Sequence, residues 1–173
     1  MWRTTPLHRS EELGSSADLP NQMEKDNEYL ERRQPLEAGF GPLLHRTYAV
    51  RIVRSTMGAP ALIDHVAANL NRFSPEMAVF RKTRGVARRS RRGDEFLVRM
   101  PGPWDGPVRV VRRDTTSFRL ATLTGHLEAG EIEFRATQTE DALSFEIESW
   151  ARAGDRLAVE IVLGPVDVFA PDH

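Results

Sequence analysis

The amino-acid sequence predicts an α+β domain: a curved antiparallel sheet with one helix packed near its start. Three observations predict this class. An alternating strand pattern at residues 47–54 is followed by a helical pattern, and a long series of further alternating segments continues to residue 150. The composition, 40% hydrophobic and 28% charged in 173 residues, is typical of a folded globular domain.

Residues 1–40 are predicted to form a disordered or loosely attached N-terminal arm, and residues 41–173 a single domain. The first 45 residues contain few apolar side chains and no sustained periodicity, while glycine, proline and serine recur among them. Regularity begins in residues 47–54, where Tyr48, Val50 and Ile52 alternate with polar or small side chains. This period of two predicts the first strand.

A helix is predicted from Pro60 to Phe73. Proline is well tolerated in the first turn of a helix, because its missing N–H group would have no partner there. Apolar side chains then recur at helical spacing: Leu62, Ile63, Val66, Ala67 and Leu70. Pro75 disfavours helical dihedral angles at the residue before it, so the helix should end there.

The rest of the chain predicts antiparallel strands at residues 77–84, 86–89, 95–100, 108–113, 117–123, 131–137 and 143–150. Alternation is clearest at residues 131–137, where Ile132 and Phe134 share one face while Glu131 and Glu133 share the other. Such a pattern indicates a sheet with one face in the core and one face in water.

Charge is unevenly distributed along the chain, with net values of -3 for residues 1–40, +10 for residues 41–125 and -8 for residues 126–173. Basic strands that pair with acidic strands across one sheet face explain this layout. The run at residues 81–92 holds seven lysines or arginines but only Phe80 as an aromatic neighbour. Single-strand binders interleave aromatic side chains with basic ones, so a solvated hairpin is the better interpretation and nucleic acid is not an expected partner.

Several classes of protein are excluded or disfavoured. The chain has no cysteine, which excludes disulfides, thiolate metal sites and a cysteine nucleophile. No apolar run approaches the length of a membrane helix and the start has no signal-peptide pattern, so we expect a cytoplasmic protein without membrane insertion. The motifs of phosphate loops, dinucleotide folds, serine hydrolases and zinc proteases do not occur.

The chain resembles a bacterial family known as domain of unknown function 1990 over about residues 38–156. The resemblance is carried by residues 41–48, 73–75, 93–96, 101–110, 117–123 and 125–131, the last reading Gly-His-Leu-Glu-Ala-Gly-Glu. It implies a START-like helix-grip fold, in which a curved antiparallel sheet surrounds a long C-terminal helix and apolar ligands are often bound. Here that helix is expected to be short or missing, because Gly164 and Pro165 interrupt the helical pattern of residues 156–163.

The candidate site residues are Trp104, Arg109, His126, Glu128 and Glu131. His126 and Glu131 could serve as an acid and a base at the edge of a pocket, although the flanking glycines equally suggest a structural turn. Trp104 lies in a proline-rich loop and is a candidate pocket wall, or alternatively a plug at the sheet end. Arg109 is a candidate ligand contact, or a partner of acidic neighbours. No metal site and no cofactor are predicted.

The leading functional hypothesis is a non-catalytic START-like domain that binds an apolar or amphipathic small molecule. The first alternative is a small enzyme that uses His126 and Glu131. The second is an interaction module that buries an open sheet face by oligomerisation, for example as a homodimer.

Overall fold

We describe a computed structural model of the chain, which covers residues 3–4, 8–20, 32–73, 79–86, 90–99 and 105–159. Its strands are β1 (Arg3–Thr4), β2 (His8–Leu13), β3 (Phe40–Val53), β4 (Val79–Arg84), β5 (Glu95–Arg99), β6 (Asp105–Arg113), β7 (Ser117–Thr122), β8 (Glu128–Gln138) and β9 (Ala142–Ala153). Its helices are α1 (Ala59–Ala68) and the single turn α2 (Leu70–Phe73). Short 3-10 turns occupy Ser16–Asp18 and Leu36–Ala38.

All of these strands belong to one nine-stranded antiparallel sheet with the order β1-β3-β9-β8-β7-β6-β5-β4. Strands β4 to β9 form a meander in which each strand pairs with the next. Strand β3 joins the meander through β9, and its other edge pairs with both β1 and β2. The long β3, which connects the two parts, is therefore the strand that ties the start of the chain to the rest of the sheet.

The prediction of an α+β helix-grip fold is wrong, because the described residues are predominantly β, with 55% of them in strands and 16% in helices. The predicted helix is also interrupted: α1 has 10 residues and ends at Ala68, because the backbone of Asn69 leaves the helical region at φ -135° and ψ 46°. A helix of this length is about 15 Å long and covers only part of a wide sheet. Of the predicted C-terminal helical segment, residues 156–163, the second half (160–163) lies outside the described residues.

Helix α1 packs on one face of the sheet, which we call the helix face; in β8 it is the face of Ile132, Phe134 and Ala136. The apolar stripe of α1 is fully used there: Ala59, Leu62, Ile63, Val66 and Ala67 are buried. The core continues on the strands through Phe96, Val98, Val108, Val110, Phe118, Leu120 and Leu143. The ring of Phe118 stacks on that of Phe134 with centroids 4.6 Å apart, and both side chains belong to this core.

The opposite face, which we call the charged face, carries Glu131, Glu133 and Arg135 on β8. Sequence alternation predicts that it meets water, and this is wrong for its central part, where Glu131 is only 3% exposed. Residues 32–38 lie over it: Arg33 bridges to Leu123, and Leu36 packs with Leu43 and Trp150. The described parts of residues 1–40 thus include the strands β1 and β2 and the buried Leu36, whereas the domain boundary near residue 40 stays a prediction.

No helix in the described ranges combines the length and the apolar character needed to cross a membrane.

Candidate functional site

Arg109 lies on the charged face and is bound to the residue directly opposite it on the next strand. The register pairs Arg109 of β6 with Glu95 of β5, and Nε and Nη2 of Arg109 donate to Glu95 Oε1 over 3.0 and 2.7 Å. Arg32 donates to the same oxygen over 2.5 Å. Burial acts to raise the pKa of Glu95, but the hydrogen bonds from Arg32 and Arg109 outweigh it and the pKa lies below its ordinary value. Arg109 is therefore a partner in a buried ion pair.

Glu131 belongs to a second, larger ion-pair network on the same face. Arg33 donates to its Oε1 over 2.7 Å, and Arg119 donates to its Oε2 over 3.4 Å. Arg119 also donates to Glu133, 3.3 Å away, and Glu133 accepts from Arg135 over 2.9 Å. Arg135 continues the network to Glu146 and Glu148 on β9. Acidic and basic residues from neighbouring strands thus neutralise one another where the sheet is covered.

His126 lies in the turn between β7 and β8, and its ring is used to hold that turn. The backbone N–H of Glu128 donates to Nδ1 of His126 over 2.8 Å, which places the hydrogen of the neutral ring on Nε2. Burial lowers the pKa of His126 despite the opposing charge of Glu128, so the ring is neutral at pH 7. The ring approaches Gly106, where a Cβ atom would lie 3.1 Å from Nε2.

Gln34 fastens the same turn from the other side. Its Nε2 donates to the carbonyl oxygens of His126 and Glu128 over 2.8 and 2.9 Å, and its Oε1 accepts from the N–H of Gly125 over 3.2 Å. One amide side chain therefore satisfies three backbone groups that the turn leaves unpaired. No local pattern in the sequence marks this residue, because its partners lie about ninety positions away.

Glu128 points to the helix face, since it alternates with Gly130 and Ile132 along β8. Its Oε1 accepts from Nη1 of Arg46 over 2.7 Å, and Arg46 donates from Nε to Glu11 over 3.1 Å. Burial acts to lower the pKa of Arg46, but the two carboxylates outweigh it and raise the pKa above its ordinary value. Glu128 and Glu131 are thus on opposite faces, and the structure does not bring the predicted acid–base group together on one surface.

Half-buried apolar side chains lie beside the Arg46–Glu128 pair on the helix face. Ser149 of β9 lies opposite both Arg46 and Ile132, and Ile147 lies opposite Tyr48. Ile132 and Ile147 pack against the main core yet keep part of their surface accessible. Helix α1 lies over the other end of the strands, where its Asp64 pairs with Arg113 at the end of β6. The end of the helix face that carries Arg46 and Glu128 therefore combines an apolar surface with a paired cation.

Trp104, the remaining predicted site residue, lies outside the described residues. Three residues that bind the predicted ones directly were not predicted: Arg33, Gln34 and Arg46. The sequence signal for these contacts was the charge distribution, in which a basic central part is followed by an acidic C-terminal part. It predicted that charges pair across strands but did not identify the partners.

The chain belongs to the family described as domain of unknown function DUF1990, whose model matches residues 34–168. This confirms the family predicted from the sequence, whereas the relationship to START-like proteins stays a prediction. A search of curated protein sequences found no match.

Among solved structures, the chain is similar to CalU16 from Micromonospora echinospora. The crystal structure of that protein gives 12% identity and a TM-score of 0.48 over 91% of this chain and 77% of the other. Its solution structure gives 14% identity and a TM-score of 0.43 over 70% and 58%. LpqN of Mycobacterium tuberculosis, a protein involved in cell envelope biogenesis, gives 11% identity and a TM-score of 0.33 over 94% and 83%.

Proposed function

We propose that this protein is a non-catalytic domain that binds an amphipathic small molecule on the helix face, at the strand ends beyond α1. The observation that carries the proposal is the placement of partly accessible Ile132 and Ile147 beside the Arg46–Glu128 pair. Ligand sites in proteins are mostly apolar surfaces with a few fixed polar groups that orient the ligand, and this surface has both elements.

The charge of the site favours a ligand with a neutral polar head. Arg46 is bonded to two carboxylates, those of Glu128 and Glu11, so the local charge is negative. An anionic head group would have to displace one of these partners from the guanidinium group. A hydroxyl or amide group can instead donate to Glu128 and leave the ion pair in place. The aliphatic part of the ligand would then lie on Ile132 and Ile147.

Displacement of a neutral apolar dye tests this proposal. Nile red bound to the protein should be released by decanol, and decanoate should release it much less well. Ile147→Trp fills the proposed surface with a large side chain and should weaken decanol binding at least tenfold. Val79→Trp is the matched control, because Val79 is 54% exposed on the edge strand β4 and its replacement should change nothing. Equal binding by both variants, or no release by decanol, contradicts the proposal.

The alternative of an enzyme that uses His126 and Glu131 gains no support from the geometry. Nδ1 of His126 is used by the backbone of Glu128, and Glu131 is held between Arg33 and Arg119 on the charged face. A general base has to reach the proton that it removes, and Glu131 has about 1% of its side-chain surface accessible. Oligomerisation stays a prediction.

A further inference from the structure

A histidine and two carboxylates converge where the start of the chain meets β3, and none of the three is among the candidate site residues discussed above. Nδ1 of His45 lies 3.4 Å from Oε1 of Glu12 and 4.0 Å from Oδ1 of Asp18. The three candidate ligand atoms lie within 4.8 Å of one another. A group of this kind on an exposed surface has no special meaning, so the orientation of each side chain decides what it can do.

The His45 ring is oriented by a carboxylate on its far side. Its Nε2 lies 2.7 Å from Oε1 of Glu148, and an ionised carboxylate only accepts hydrogen bonds, so the hydrogen of the neutral ring is on Nε2. Nδ1 then presents a lone pair. This atom is buried and has no hydrogen-bond partner among the described residues, and the groups that face it, Glu12 and Asp18, are acceptors as well. A buried acceptor surrounded by acceptors requires a cation or a proton.

The two carboxylates are held toward that lone pair by the fold. Glu12 of β2 is the direct cross-strand neighbour of His45 in β3. Asp18 uses its Oδ2 atom to accept from the backbone N and the Oγ of Ser15, over 2.6 and 3.0 Å, which leaves Oδ1 toward His45. These bonds lower the pKa of Asp18 and keep it ionised.

Trp150 fixes the remaining geometry. Its Nε1 donates to the carbonyl oxygen of Asp18 over 2.5 Å, and its ring stacks on that of His45 with centroids 6.0 Å apart. The tryptophan is 2% exposed and therefore rigid. Both His45 and Asp18 are thus positioned by the same buried side chain before any ion is bound.

We propose that Glu12, Asp18 and His45 bind a divalent metal ion of the zinc class through Oε1, Oδ1 and Nδ1. Zinc binds such atoms at about 2.0–2.2 Å in a tetrahedron, in which two ligand atoms are roughly 3.4 Å apart. The 3.4 Å between Nδ1 of His45 and Oε1 of Glu12 matches this separation, and the 4.0 Å from Nδ1 to Oδ1 of Asp18 requires a small rotation of a half-buried side chain. Glu148 is the outer carboxylate that metal-binding histidines commonly have on their second nitrogen. Three protein ligands leave one position for water.

The site differs from the ligand surface proposed above in location and chemistry. It lies on the charged face, since His45 is the direct neighbour of Trp150 and Trp150 of Glu131. A bound ion would join β2 and the 3-10 turn at Ser16–Asp18 to the central strand β3. The inference therefore holds or fails independently of the binding of an amphipathic molecule.

The competing occupant of the site is a proton. A doubly protonated His45 would form ion pairs with Glu12, Asp18 and Glu148, and the same side-chain positions would serve. The two occupants differ in one measurable respect. A metal ion leaves hydrogen on Nε2 alone, whereas a proton puts hydrogen on both ring nitrogens.

Zinc titration of the full chain by calorimetry at pH 7.5 tests the proposal. One equivalent should bind to the natural protein, and Glu12→Gln and Asp18→Asn should each weaken binding at least tenfold. Glu12 is 61% exposed in its side chain, so its replacement leaves the fold intact. The matched controls are Glu37→Gln, an exposed carboxylate elsewhere, and His65→Gln, an imidazole on α1; neither should change the affinity. Binding that is equally strong in Glu12→Gln, Asp18→Asn and the natural protein overturns the proposal.

Nitrogen-15 spectra of the histidine rings identify the ligand atom. On addition of zinc, the Nδ1 signal of His45 should shift while Nε2 remains protonated, and the other rings should stay unchanged. A shift confined to another histidine shows an adventitious ion only and overturns the assignment. A His45 ring that carries hydrogen on both nitrogens in the presence of saturating zinc also overturns it, because the proton then occupies the site.

Discussion

At the scale of single residues, His126 is a titratable side chain that serves as a hydrogen-bond acceptor. Its Nδ1 accepts the N–H of Glu128 and its ring lies against Gly106, a position where any side chain would also meet the carbonyl oxygen of Val98 at 2.8 Å. Protonation would place a hydrogen on Nδ1 and break that hydrogen bond. The residue is thus restricted to its neutral form by both burial and bonding.

The first prediction concerns the pH dependence of stability. The pKa of His126 in the folded protein lies below its ordinary value of 6.5, so the unfolded chain binds the proton first as the pH falls. The contribution of His126 is complete above about pH 6.5 and decreases as the pH falls from there toward the lowered pKa. His126→Asn keeps an acceptor for Glu128 without titrating. The unfolding free energy of the natural protein, measured in urea, should therefore fall relative to this variant between about pH 7 and about pH 5.

His65→Asn serves as the control for this comparison, because His65 lies on α1 away from the turn. A difference between the natural protein and His126→Asn that stays constant over this pH range would show that His126 does not titrate as inferred.

At the scale of strands, buried ion pairs set which residues may lie opposite one another on the charged face. Glu95 faces Arg109 across β5 and β6, and Arg119 faces Glu133 across β7 and β8. Both arginines are 3% exposed. A shift of one residue between β7 and β8 would place Arg119 opposite Ile132 or Phe134 instead of Glu133. The pairs therefore specify the register as well as neutralising the charges.

The second prediction follows from this arrangement. Arg109→Met should lower the unfolding free energy by about 3 kcal/mol, because Glu95 loses its buried partner and keeps only Arg32, whose side chain is 55% exposed. The double variant Arg109→Met with Glu95→Met should recover much of this loss, since no unpaired charge remains. Urea denaturation provides the measurement.

Arg112→Met is the matched control on the same strand. Its ion pair with Asp114 is well exposed, so the loss should stay below about 1 kcal/mol. Equal losses for Arg109→Met and Arg112→Met would contradict the distinction between buried and exposed pairs.

At the scale of the whole molecule, one core joins α1 to most of the sheet. Ile63 and Val66 are 0% exposed and pack among side chains that extend from β3 to β5. The charged face is covered separately, where Leu36, Leu43 and Trp150 pack together with Leu19. Every strand is hydrogen-bonded to its neighbours in the sheet, so disruption of the packing on one face also destabilises the packing on the other. We therefore expect the described elements to unfold as one unit.

The third prediction tests this unit. Ile63→Ala should lower the unfolding free energy by about 2–5 kcal/mol, because it leaves a cavity in a fully packed core. Tryptophan emission, which includes Trp150 on the opposite face, should change at the same urea concentration as the far-ultraviolet circular dichroism. Asp64→Ala is the control, since Asp64 is 72% exposed in its side chain and the expected loss is below about 1 kcal/mol. Separate transitions for the two probes would contradict a single unit.

Much of the strand arrangement could be predicted from local pattern. The alternation of Ile132 and Phe134 with Glu131 and Glu133 predicted which side chains share a face, and the family was identified from short motifs. The helix that begins near Pro60 was also predicted, but its end was placed too late, because the departure of Asn69 from helical dihedrals has no strong local signal. The predicted fold class was wrong, because local patterns identify single strands and helices but do not show how small a share of the fold the helix forms beside a nine-stranded sheet.

The sequence by itself determined the order of the strands and the helix from β3 onward, which side chains alternate between the two sheet faces, and the absence of thiol chemistry, because these depend on neighbouring residues or on composition alone. The tertiary structure alone decided that the charged face is covered, that Glu128 and Glu131 are separated by the sheet, and that His45 meets Glu12 and Asp18. The physical reason is that contacts between residues distant along the chain depend on strand order and register, which the whole set of packing and charge interactions selects together.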